Sequence, residues 1–98
     1  MTLGLVCRQI GSNESVSGAT SDVGSNGVRF HARTEFPIGA TLELRIQWPT
    51  ALPEIFIELI LVGSVVRSGG GETALLMNRY GFHDRRMTVF RPKDVQAR

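Results

Sequence analysis

A lone cysteine, Cys7, cannot close an internal disulfide, so the chain is not one of the small secreted scaffolds held by bridges. A reducing cytoplasm is the expected compartment. No run of about 18 uncharged apolar residues is present, because Glu58 breaks the longest apolar stretch, 55–66, and a helical membrane span is therefore excluded. The start of the chain carries no basic patch ahead of an apolar stretch, and no secretory signal is expected. Catalytic and metal signatures are missing too. There is no Gly-x-Ser-x-Gly elbow, Gly69 to Gly71 is not followed by a helix with Lys-Ser/Thr, and His31, His83, Cys7 and Asp84 lack the paired spacing of a zinc site. Neither an enzyme nor a metalloprotein is expected.

Lysine is scarce as well: ten of the eleven basic residues are arginine, the side chain suited to forked bonds with phosphate or carboxylate and to stacking on flat rings. The basic excess lies at the end. Residues 1–81 hold six arginines against seven acids, whereas 82–98 hold Arg85, Arg86, Arg91, Lys93 and Arg98 against Asp84 and Asp94. A barrel body that is slightly acidic argues against a polymer of nucleic acid as ligand, since single-strand binders need a basic groove with exposed rings.

With 42% apolar and 20% charged residues the chain has ordinary globular composition, and its 98 residues allow one domain with a single modest core. We expect the barrel to occupy about 3–82, followed by a basic tail, 83–98. The pattern is that of strands. Leu3, Leu5 and Cys7 share one face of a first strand over 3–10. A second covers 15–23, where Gly18 suggests a bulge. In 28–33, Val28, Phe30 and Ala32 point one way and Arg29, His31 and Arg33 the other. The clearest alternation is in 41–48, with Leu42, Leu44, Ile46 and Trp48 on one face. Residues 49–53 form a loop bracketed by prolines. The stretch 55–67 is apolar on both parities and reads as one long strand with a face swap near Gly63. After a hairpin at 68–71, residues 73–82 return with Ala74, Leu76, Tyr80 and Phe82 on one face and Leu75 and Met77 on the other. Met87 and Phe90 stand one helical turn apart, and a short helix is expected before Pro92.

The stretch 21–30, Ser-Asp-Val-Gly-Ser-Asn-Gly-Val-Arg-Phe, organises the rest. Asp22 and Asn26 favour turns, and Gly24 and Gly27 can take positive φ at little cost. Taken alone, Asp22 is a turn residue, and Arg29, His31 and Arg33 are a solvated strand face. The order of features over about 3–82 nevertheless resembles the PilZ domain family. It comprises the Asp22-to-Gly27 motif, the Val-x-Phe strand at Val28 to Phe30, Pro37-Ile38-Gly39 before the amphipathic strand, Gly-x-Val-Val-Arg at 63–67, and the closing Tyr-x-Phe.

The resemblance implies an all-β, six-stranded antiparallel barrel with a C-terminal helix, and cyclic di-GMP as regulatory ligand. In that family a turn of the form Asp/Asn-x-Ser-x-x-Gly works with an upstream Arg-x-x-x-Arg. Here Asp22 matches the acid, Gly24 stands where the family has serine, Ser25 offers a neighbouring hydroxyl, and Gly27 matches the glycine. No Arg-x-x-x-Arg exists. Arg8 is the only arginine before Asp22. With Leu3 starting the first strand, the arginine segment would fall before Met1, either lost or carried on a longer chain. The other source of phosphate contacts is Arg29, Arg33, Arg67 or the Arg85-Arg86 pair. Candidate ligand residues are therefore Asp22, Gly24, Ser25, Gly27, Arg29 and Arg8. The alternative function is an adaptor that binds a protein partner and no nucleotide.

Overall fold

The computed structural model describes residues 2–50, 57–84 and 87–90. It is all strand: β1 Gly4–Gln9, β2 Ser15–Val23, β3 Gly27–Ala32, β4 Thr41–Trp48, β5 Ile57–Gly69, β6 Glu72–Asp84 and β7 Met87–Phe90. All pairings are antiparallel, in the order β3-β2-β1-β4-β5-β6-β7, and a further β3–β6 ladder closes the first six into a barrel. The expected six-stranded antiparallel barrel is thus observed.

Alternation in β1, β3 and β4 builds most of the core. Leu5, Cys7, Val28, Phe30, Leu42, Leu44 and Ile46 are all buried, joined by Leu59, Leu61, Val65 and Leu75 from the two long strands. Phe36, from the loop after β3, packs its ring 6.4 Å from that of Phe30. Trp48 sits at the barrel end as a half-buried plug, edge-on to Phe82 at 6.0 Å.

Turn chemistry accounts for two of the connections. Gly70 and Gly71 both have positive φ, 63° and 81°, the geometry a two-residue hairpin needs to match strand twist. Gly39, at φ 92°, lies within a turn closed by the Ala40 amide donating to the Pro37 carbonyl at 3.1 Å.

Four expectations need correction. First, Met87–Phe90 is a strand and not a helical turn. β3 pairs only with residues 72–76 of the thirteen-residue β6, and β7 takes the same edge further along, at His83 and Asp84. Thr88, Val89 and Phe90 favour such an extended segment. Second, Gly24 and Gly27 do not have positive φ. Gly27 is there because a Cβ would run into the Leu75 carbonyl oxygen where β3 meets β6.

Third, the bulge in β2 falls at Ser21, between Thr20 and Asp22, whereas Gly18 pairs regularly with Leu5 and Ala32. Fourth, a register shift does fall at the Val62–Gly63 step, but β5 itself swaps faces later, at Val66, and β6 has a bulge that was not expected. Val66 is the extra residue of β5 and Asn78 that of β6, opposite the Val62–Gly63 step. The Asn78 bulge reverses parity within β6. Leu75 and Met77 therefore face inward together with Tyr80 and Phe82, while Leu76 is turned out to solvent.

Candidate functional site

The bulge at Ser21 decides what the β2–β3 hairpin presents. Thr20 is buried before it and Val23 packs on the core after it, so Asp22 is aimed at the outer face. Its register partner across the ladder is Arg29, whose Nη2 donates to Asp22 Oδ2 at 3.1 Å. Both side chains remain open, 52% exposed for Arg29 and 61% for Asp22. The hairpin tip is closed by the Gly24 amide donating to the Gly27 carbonyl, and it is tied to β6 by the Met77 amide donating to the Asn26 carbonyl, each at 2.9 Å.

From Asp22 the register continues across the barrel. Asp22 faces Arg29, Arg29 faces Ala74, and Ala74 faces Arg67. Strand spacing puts Arg29 and Arg67 roughly 10 Å apart on one outer surface, with only a methyl group between them. Beside this row lies an open cleft of about 250 Å³ lined by Asp22, Gly27, Arg29, Val66, Ala74 and Leu76, among others. Val66 is 53% and Leu76 50% exposed there. One row away, Glu72 Oε2 accepts from Ser21 Oγ at 2.9 Å and lies 3.5 Å from His31 Nε2.

The remaining candidates are divided between two other places. Gly24 and Ser25 border a separate cleft of about 480 Å³ at the barrel mouth, lined also by Trp48, Leu59, Met77, Tyr80 and Phe82. Arg8 is remote. It pairs with Ser15, seven residues before Asp22 on β2, which is roughly 20 Å away at about 3.3 Å per residue. Its guanidinium is also engaged, donating to the Ser12 carbonyl at 3.1 Å and standing 3.5 Å from Glu43. Arg33 is exposed just beyond β3, and Arg85 and Arg86 lie outside the described residues.

Arg8 starts an alternating series of charges on the outside of β1, β4 and β5, with the His83 ring of β6 beside its last member. Glu43 is 3.7 Å from Arg45, Arg45 is 3.6 Å from Glu58, and Glu58 is 3.7 Å from His83. That side of the barrel is internally matched. Sequence reasoning missed Val66 and Leu76 as surface residues. The signal was present in the doublets Val65-Val66 and Leu75-Leu76, since a strand cannot bury two successive side chains on one face.

The described residues thus form a small closed barrel in which the Asp22 hairpin adjoins an outer face carrying Arg29, Arg67, Val66 and Leu76. The family model of the PilZ domain matches residues 1–90, and the chain belongs to that family. No curated protein and no solved structure matches it. Among the described residues no helix is long and apolar enough to cross a membrane.

Proposed function

We propose that this PilZ signalling domain works as a cytoplasmic, non-catalytic adaptor that docks a protein partner on the outer face of β3, β6 and β5. One observation carries the reading: Val66 and Leu76, two large aliphatic side chains, are each about half exposed in a single cleft beside the Asp22 hairpin. Three features around the hairpin weigh against a nucleotide. Gly24 replaces the motif serine, Arg8 lies far from Asp22, and the Asp22 carboxylate already accepts from Arg29.

A second reading keeps cyclic di-GMP as ligand at the same hairpin. It is favoured by the row of Asp22, Arg29 and Arg67 across one outer surface, an acid for a guanine edge with two arginines for phosphate. Calorimetric titration with cyclic di-GMP, with GMP as control, separates the two. The adaptor reading expects no saturable heat up to millimolar ligand. Saturable heat that disappears in Asp22→Ala would instead install the nucleotide reading.

A further inference from the structure

The outer face of β3, β6 and β5 is uneven in charge as well as apolar, and that unevenness specifies an occupant. The acids beside the cleft are already engaged within the chain, Asp22 of the neighbouring β2 by Arg29 and Glu72 by Ser21 and His31. Its arginines are not all matched. Arg67, next to Val66, and Arg79, three residues beyond Leu76, are exposed and ion-paired to no described residue. Gly27 and Ala74 leave the cleft shallow, because one has no side chain and the other only a methyl, while Val66 on β5 and Leu76 on the adjoining β6 stand as neighbouring apolar side chains beside it.

On these grounds we infer that the partner presents an acidic amphipathic helix whose apolar stripe lies over Val66 and Leu76 and whose carboxylates meet Arg67 and Arg79. This rests on the docking reading above and names the partner's chemistry. Strand addition does not fit this surface, since β6 is laddered there to β3 on one side and β5 on the other. The occupant therefore engages through side chains, as a helix laid on a surface does. A second copy of the chain does not fit either. Two-fold contact through this patch would put the arginines of one copy over the same arginine-flanked, already acid-matched surface of the other, where like charges repel.

Panning short random peptides displayed on phage against the intact chain tests the inference. Enriched peptides are expected to interleave Asp and Glu with Leu, Ile, Phe or Met. They should weaken about tenfold or more on Val66→Ser, Leu76→Ser and Arg67→Glu, a loss of about 1.4 kcal/mol. These positions are exposed, and unchanged circular dichroism verifies that each variant is folded. Peptides that need Val66 and Leu76 but carry no acidic excess and ignore Arg67→Glu would overturn the acidic partner and leave the docking reading standing. Peptides that bind Leu76→Ser as tightly as the parent chain, or no enriched peptide at all, would overturn the inference. The docking reading itself falls on a different result, Asp22-dependent binding of cyclic di-GMP.

Discussion

Cys7 and Asp22 are the two extremes of what a single side chain does in this barrel. Cys7 is fully buried among Leu5, Leu44 and their neighbours, and burial pushes its thiol from 9.0 up to about 12. The thiolate is the reactive form, so Cys7 is expected to be inert to a thiol reagent at pH 8 and to react fully once urea unfolds the chain. The same shift sets a pH dependence. The neutral thiol is favoured in the fold, so its contribution is complete below pH 9 and is lost as pH rises towards 12, where the unfolded chain ionises first. Urea midpoints measured across that window should fall for the parent chain, and less for Cys7→Ala. Asp22 behaves oppositely. Its ion pair with Arg29 is solvated on both sides, and such pairs contribute about 0–1 kcal/mol. Asp22→Ala should therefore leave the thermal midpoint within a few degrees of the parent, which makes it a clean probe of ligand binding.

At the level of strands and turns, alternation was legible wherever pairing is regular. Leu42, Leu44 and Ile46 are buried as their spacing requires, and so are Val28 and Phe30. Legibility failed at the bulges, because an extra residue on one strand is defined by its partner and leaves little mark on its own sequence. Ser21, Val66 and Asn78 each shift the register of everything after them. The C-terminal strand failed for a related reason. Met87 and Phe90 carry a helical spacing, but an open stretch of the β6 edge outweighs local preference over four residues. The β5–β6 hairpin, in contrast, was plain from three successive glycines. Both tip residues have positive φ, and what replaces them matters: Asn adopts left-handed backbone, whereas a β-branched residue is strained there. Gly70→Asn should thus be nearly neutral, and Gly71→Val should cost about 1–2 kcal/mol, read as a lowered urea midpoint at unchanged slope.

For the molecule as a whole, closure of the barrel creates the candidate site, and closure is what a linear sequence hides best. Asp22 and Arg29 could be grouped from their place in one hairpin. Adding Arg67, Ala74, Val66 and Leu76 required the β3–β6 ladder, which joins residues more than forty positions apart. That ladder runs through the apolar, arginine-flanked face over β3, β6 and β5, whereas the ion-paired face lies over β1, β4 and β5. The seam is tight. Gly27 and Gly63 approach β6 from opposite sides, and a Cβ on either would meet a carbonyl oxygen, that of Leu75 or of Leu76. Backbone cannot yield as a side-chain tip can, so Gly27→Ala should cost about 1–3 kcal/mol, as overpacking does. The form of the loss is informative. If closure and core are one cooperative unit, urea transitions followed by Trp48 fluorescence and by far-ultraviolet circular dichroism will coincide in the variant as in the parent, merely shifted. Separate transitions would mean that the seam opens before the core melts. The docking face would then be assembled on a part of the barrel that can detach from the rest.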